Sequence, residues 1–106
     1  MARVLRLLAN PDRLRMLCRM GMADELGGAH PTVGELVVVT GLSQSRVSQH
    51  LALLREAGIV MATREGQQVR YALVDPRVRA VMEALCDLCE RGLPPSRLDG
   101  PAARRA

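Results

Sequence analysis

The side chains best suited to chemistry in this sequence share one face of a single predicted helix. They are short hydrogen-bonding groups and one guanidinium, namely Gln44, Ser45, Arg46, Ser48 and Gln49. Arg and Gln carry paired donors and acceptors that match base edges in the major groove of DNA, and Ser suits phosphates. The pattern therefore predicts a helix that reads DNA bases, and the alternative is an ordinary solvated helix face.

Apolar residues at helical spacing give the same segment a buried side. Val47, Leu51 and Leu54 recur every three or four residues, which places them on one stripe. Ser43 can cap the start of the helix, and Gly58 can end it in a left-handed conformation. We therefore expect one helix between Ser43 and Gly58, with its polar face opposite the core.

A shorter helix precedes this segment. Residues 32–40 predict it, with Thr32 and Glu35 at the spacing of a capping box, and Gly41 makes a tight turn into the next helix. A short helix, a glycine turn and a polar-faced helix follow each other in the order of a helix-turn-helix.

The pattern after Gly58 changes to that of a β-hairpin. Two strand-like runs, 59–64 and 69–74, flank a turn at 65–68, and this hairpin is the predicted wing. Candidates for contact with the DNA backbone come from the helix and the wing: Ser43, His50, Arg64, Gln68 and Arg70.

Helices complete both ends of the predicted domain. We expect helices at 2–9 and 11–22, a loop at 24–31, and a last helix that Asp75 and Pro76 open and that runs to about Arg91. Residues 1–92 would form the DNA-binding and dimerisation domain, and residues 93–106 a flexible basic tail.

Composition agrees with one small DNA-binding domain. The chain has 106 residues with 48% hydrophobic content, yet Tyr71 is its sole aromatic residue, so Leu, Val, Met and Ala must build the core. Small aliphatic domains often complete such a core by dimerising. The net charge is +4 and all 15 basic residues are Arg, which favours a polyanionic partner.

The sequence shows neither a membrane-spanning run nor a signal peptide. Its three cysteines are too few, and odd in number, for a secreted disulfide framework. We therefore expect a cytoplasmic protein without a membrane partner.

Several motifs together resemble the ArsR–SmtB family of dimeric repressors, over about residues 3–90. They are Leu14-Arg15-Met16-Leu17, Val33-Gly34-Glu35-Leu36, Gly41-Leu42-Ser43-Gln44-Ser45, Val47-Ser48-Gln49-His50-Leu51, Leu53-Leu54-Arg55-Glu56-Ala57-Gly58 and Arg70-Tyr71-Ala72-Leu73. The resemblance implies a mainly α winged helix-turn-helix with a small β-hairpin, in the order α-α-α-α-β-β-α, that dimerises through its first and last helices. Such a homodimer would repress transcription from an imperfect inverted repeat in double-stranded DNA.

Members of this family release DNA when a metal, a metalloid or an oxidant reaches a site in the dimer. The cysteine pair that some arsenic and cadmium sensors carry at the start of the DNA-binding unit is replaced here by Val37-Val38-Val39. The histidines, His30 and His50, lie outside the last helix, where the zinc sensors place ligands. A zinc or nickel site of that kind is therefore not expected.

Three thiols remain as candidate sensors. Cys18 in the second helix, with Cys86 and Cys89 in the last, resembles the persulfide- and redox-responsive branch, in which one cysteine from each helix pairs through a disulfide or polysulfide. The resemblance leaves the partner of Cys18 open, and Cys89 is our first choice because it lies near the centre of the apolar stripe. Alternatively, Cys18, Cys86 and Cys89 bind As(III), Cd(II) or Pb(II) as an inducer, or they are inert buried thiols. No resident cofactor is required in any of these interpretations.

Other classes of protein fit the sequence less well. Cys86 and Cys89 have a redox spacing, but a thioredoxin-like site needs the pair at a helix N-terminus beside a sheet. No pairing of nucleophile with base and no phosphate loop is evident, so an enzyme is not expected. A winged helix that has lost DNA binding is disfavoured, because Arg46, Gln49 and Arg70 are retained.

Overall fold

The structure is a computed structural model that describes residues 2–90, with side chains described for residues 2–85. Over this range the chain forms five helices and one hairpin, and their order confirms the predicted fold. They are α1 (Ala2–Leu8), α2 (Pro11–Leu26), α3 (Val33–Thr40), α4 (Gln44–Glu56), β1 (Val60–Glu65), β2 (Gln68–Leu73) and α5 (Pro76–Glu90). The predicted tail at 93–106, and the boundary at residue 92, lie outside the described residues.

Side-chain caps fix where the helices begin. The Asn10 carboxamide oxygen accepts from the backbone N–H groups of the first turn of α2, and Thr32 and Glu35 form the predicted capping box of α3. The Ser43 hydroxyl accepts from the Arg46 N–H at 3.1 Å, and the Asp75 carboxylate accepts from the first turn of α5. Each cap satisfies N–H groups that a helix leaves without an internal partner, which is why the sequence located these starts correctly.

The turn between α3 and α4 depends on Gly41. Its φ is 75°, a conformation that a residue with a Cβ rarely adopts, and its N–H donates to the Val37 carbonyl. The turn fixes the angle between the two helices of the helix-turn-helix.

The second helix is longer than the sequence predicted. It continues to Leu26 rather than ending near Met22, so the predicted loop at 24–31 is wrong in its first part. Ala23 is buried and the Asp24 carboxylate bonds to Arg79 at 2.7 Å, so tertiary contacts hold this last turn in place. Gly27 then ends the helix in the left-handed conformation.

The wing is an antiparallel pair in which Val60 lies opposite Leu73 and Glu65 opposite Gln68. Each strand is displaced by one residue from its predicted limits. A third short segment, missed from the sequence, lies along β2: Thr32 forms a β-bridge with Arg70, and the Tyr71 N–H donates to the Pro31 carbonyl at 2.9 Å. The start of α3 is thereby joined to the wing.

The core is aliphatic, as the composition predicted. Every helix and both strands contribute to it, through Leu7, Leu8, Met16, Leu17, Met20, Leu36, Val47, Leu51, Leu54, Ile59, Val60, Leu73, Val78 and Met82. Tyr71 is half-buried at its edge. None of the helices between residues 2 and 90 has the length and hydrophobicity needed to cross a membrane.

Candidate nucleic-acid interface

The first half of α4 presents the predicted polar face to solvent. We call it the reading face, and all its side chains are exposed: Gln44, Ser45, Arg46, Ser48 and Gln49. On the opposite side of the helix Val47, Leu51 and Leu54 are buried. The helix is thus fixed to the core along one stripe and free to contact a ligand along the other.

Ser43 and Arg64 lie at the borders of this face. Ser43 is exposed, but its hydroxyl is already the N-cap of α4. Arg64 is exposed on β1 near the tip of the wing, opposite Val69. The Arg64 side chain is therefore accessible to a ligand, whereas the Ser43 hydroxyl has a structural role.

Arg70, which was predicted to contact the DNA backbone, holds the wing together in this structure. Its guanidinium donates to the His30 carbonyl at 2.7 Å, to the Glu65 carboxylate at 2.9 Å and to the Gln68 carboxamide oxygen at 2.7 Å. The Glu35 carboxylate lies at 3.8 Å, and only 20% of the side chain is exposed. A phosphate contact would have to replace some of these bonds, and in this structure the Arg70 guanidinium braces the wing. Gln68 is exposed, with its oxygen held by Arg70.

His50 is also placed differently from the prediction. Its side chain is buried, and its Nδ1 lies 3.1 Å from an Arg13 guanidinium nitrogen. Burial first, and then the Arg13 charge, lower the pKa of His50 below its ordinary value. The imidazole therefore faces the interior rather than the exposed reading face.

A polar network behind the wing was missed from the sequence. The Asp24 carboxylate bonds the His30 imidazole at 2.6 Å and the Arg79 guanidinium at 2.7 Å. The His30 hydrogen bond, more than the ion pair with Arg79, lowers the pKa of Asp24 against the opposing effect of burial. Arg79 is distant in sequence from Asp24 and His30, and the three residues match no motif, so only the tertiary structure reveals the network.

The thiols lie on two helices that pack together. Cys18 on α2 is half-buried against the core. Val78 and Met82 of α5 belong to the same core, and the pair of Asp24 and Arg79 joins the end of α2 to the start of α5. Cys86 and Cys89 lie on α5 beyond the last described side chain. Within residues 2–85, no three His, Cys, Asp or Glu side chains are grouped to hold a metal ion.

Comparison with known proteins places this fold among winged helix DNA-binding regulators. Reduced HlyU from Vibrio cholerae has a TM-score of 0.69 and 41% identity, over 80% of this chain and 83% of that one. An NMR structure from Mycobacterium bovis, titled a homodimeric winged helix-turn-helix DNA-binding domain, has a TM-score of 0.67 and 27% identity, over 87% and 80% of the two chains.

The sequence comparisons give the family. The profile of the bacterial regulatory protein, arsR family, matches residues 10–62. The transcriptional regulator CmtR of Mycobacterium tuberculosis is 44% identical over 80% of this chain and 67% of its own length. A probable mercury resistance operon repressor of Streptomyces lividans is 42% identical over 80% of this chain and 64% of its own. The chain belongs to the arsR family, and it is a transcription regulator rather than an enzyme.

Proposed function

We propose that this protein represses transcription as a homodimer whose two α4 helices read an imperfect inverted repeat in double-stranded DNA. The observation that carries the proposal is the reading face, an exposed polar surface at the start of a helix that the core holds rigidly. One copy of α4 reaches only a few base pairs, whereas a symmetric pair reads two half-sites about one helical turn apart. Arg64 on the wing would add a phosphate contact beside each half-site.

Apolar side chains left in solvent support the dimer. Leu5 on α1 is 56% exposed, and Val81 and Leu85 on α5 are each 40% exposed. A second copy packed against these helices would remove this surface from water, with a gain of about 25 cal/mol for each Å² buried. The similar Mycobacterium bovis domain is homodimeric, which supports the proposal of a dimer.

The proposed signal is a persulfide or oxidant that acts on Cys18 and one cysteine of α5, with Cys89 preferred to Cys86. The Cys18 thiolate attacks the outer sulfur of an organic persulfide. That sulfur is transferred to Cys18, which becomes a persulfide, and the rest of the organic molecule leaves as a thiol. The second cysteine then attacks the Cys18 sulfur and displaces hydrogen sulfide. Two protein thiols are oxidised to a disulfide, and one persulfide is reduced to a thiol and hydrogen sulfide.

A link between α2 and α5 would act on DNA binding through the core that the helices share. The two helices already meet through Val78, Met82 and the pair of Asp24 and Arg79. Packed interiors do not deform continuously, so a new covalent bond favours a second arrangement with a different spacing of the two α4 helices. An inverted repeat tolerates little change in that spacing.

Fluorescence anisotropy on DNA from upstream of the gene tests the proposal. Reduced wild type should bind this DNA, and addition of an organic persulfide should release it. The Cys18→Ser variant should bind equally well and stay bound, and Cys86→Ser and Cys89→Ser identify the second thiol by which of them loses release. Failure of the reduced protein to bind would contradict DNA reading, and release of Cys18→Ser by persulfide would contradict the thiol switch alone.

A soft metal or metalloid inducer is the second candidate. Its support is the similarity to a probable mercury resistance operon repressor and the presence of three thiols suited to a three-sulfur site. Arsenite, Cd(II) or Pb(II) would then release the reduced protein from DNA where persulfide does not. All three single serine variants would lose this response, whereas a disulfide switch needs only two of the cysteines.

A further inference from the structure

One guanidinium joins three helices behind the reading face. Arg13 on α2 donates through Nε to the Leu7 carbonyl at the end of α1, at 2.6 Å. The same guanidinium reaches His50 on α4, with Nη1 at 3.1 Å from Nδ1. Arginine offers several donors in a rigid planar fork, so it can hold two acceptors in a fixed relation that a single ammonium cannot reproduce.

The contact fixes the chemical form of His50. Arginine donates and never accepts, so Nδ1 of the imidazole must accept and its proton must lie on Nε2. Nε2 is buried and has no hydrogen-bond partner among the described residues. A buried polar atom without a partner opposes folding, and an apolar side chain of similar size would avoid that cost. The role of the imidazole is therefore to accept a hydrogen bond from Arg13, and not only to fill space in the core.

Protonation of His50 is incompatible with this contact. A protonated imidazole carries a donor on both nitrogens, so Nδ1 would meet Arg13 donor against donor. The charged groups that act on the imidazole are Arg13 and Asp12 of α2 and Arg46 of α4 itself, while α3 and β1 contribute none among the described residues. Asp12 is the single group of the three that favours the proton, and it is already paired with Arg15 at 3.0 Å.

A second contact joins α1 to α4, farther along both helices. Arg3 of α1 pairs with Glu56 at the end of α4 at 3.3 Å. Both ends of α1 are thus tied to α4, one by this exposed pair and the other through Arg13. Because α1 is one of the helices proposed to form the dimer, these ties set how each α4 stands relative to its copy in the partner subunit.

We infer that Arg13 is a positioning residue for DNA reading: through the Leu7 carbonyl and His50 it locks the orientation of α4 against α1. The inference rests on the proposed DNA contact of α4 and adds to it a requirement for neutral His50. Loss of these contacts leaves the side chains of the reading face intact but no longer holds α4 in a fixed orientation against α1. Acidification protonates His50 and thereby breaks its contact with Arg13. DNA affinity therefore depends on pH through a residue that does not itself contact DNA.

Two kinds of variant test this inference by anisotropy on the same DNA, with circular dichroism confirming that each protein is folded. Arg13→Lys and His50→Leu remove the bridge, and we expect each to bind about tenfold more weakly near neutral pH. His50→Asn keeps an acceptor at the Nδ1 position and cannot titrate, so its affinity should remain within about twofold of wild type.

The pH profile separates positioning from a purely structural role. As the pH falls below 6.5, the wild type should lose affinity relative to His50→Asn while both proteins remain folded, because the pKa of His50 in the folded protein lies below that value. His30 is unchanged in both proteins, so it does not contribute to the difference between them. Equal profiles for the two proteins, or full affinity in a folded Arg13→Lys, would overturn the inference. A wild type that binds no DNA near neutral pH would overturn the proposed function, and this inference with it.

Discussion

The Arg70 guanidinium donates to the His30 backbone carbonyl at 2.7 Å and thereby fastens the second strand of the wing to the segment before α3. The bond lies beside the β-bridge of Thr32 with Arg70, so side chain and backbone hold the same junction. The wing is thus part of the helix-turn-helix framework rather than an independent hairpin. An isolated two-stranded hairpin is only marginally stable in water, and this attachment supplies what the pair lacks.

Arg70 and Arg64 should therefore give opposite results on substitution. Arg70→Gln removes charge-assisted bonds from a largely buried group, and we expect the free energy of unfolding to fall by about 1–2 kcal/mol. Arg64→Gln should leave stability unchanged and weaken DNA binding by an amount that shrinks at high salt. Urea denaturation and anisotropy measure the two effects. Unchanged stability in Arg70→Gln would show that its contacts do not support the wing.

The reading face should tolerate charge reversal in stability but not in function. Arg46→Glu places a carboxylate on the exposed surface proposed to contact DNA, and we expect the dissociation constant to rise at least about tenfold. Arg55→Glu makes the same change on an exposed site of the last turn of α4 and serves as the matched control. Equal losses in the two variants would indicate a general charge effect instead of a specific reading surface.

Folding stability should fall at mildly acidic pH because of His50. Its pKa is lowered in the folded protein from the ordinary value of 6.5, chiefly by burial, so the unfolded chain takes up a proton at higher pH than the folded one. The contribution of His50 to the free energy of unfolding is complete above pH 6.5. It is lost as the pH falls from there toward the lower pKa of the folded protein. Asp24 and Asp75 also have lowered pKa values, but they change the free energy of unfolding only at and below their ordinary value of 3.8.

Thermal unfolding from about pH 7.5 to about pH 5.5 measures this effect, with His50→Asn as the control. The melting temperature of the wild type should decline across this range more steeply than that of the variant. Parallel curves would show that another group is responsible.

The proposed dimer should depend on apolar side chains of α5. Leu85→Glu would bury a carboxylate without a partner in the interface, and we expect a shift from dimer to monomer in sedimentation equilibrium together with weaker DNA binding. Leu26→Glu introduces the same charge at an even more exposed leucine, at the end of α2, and should leave the dimer intact. A dimeric Leu85→Glu would place the interface elsewhere.

The local elements could be predicted because their signals are local. The helix caps form hydrogen bonds to groups within three residues, as at Asn10, Thr32, Ser43 and Asp75. Gly41 supplies the positive φ that its own turn requires. The period of Val47, Leu51 and Leu54 identified the buried side of α4, and with it the exposed reading face. Together with the family resemblance, these features sufficed for the order of elements and the class of protein.

The roles of the long polar side chains were decided only by tertiary structure. Arg70 and His50 were predicted to contact DNA, yet one braces the wing and the other lies inside, because each has partners many residues distant in sequence. The last turn of α2 likewise depends on the bond from Asp24 to Arg79. Periodicity reports which face of an element is apolar, but a guanidinium or imidazole suits water, phosphate or a buried carbonyl alike. Which of these it meets is determined by how the helices and the hairpin pack, and that information is absent from any single stretch of the chain.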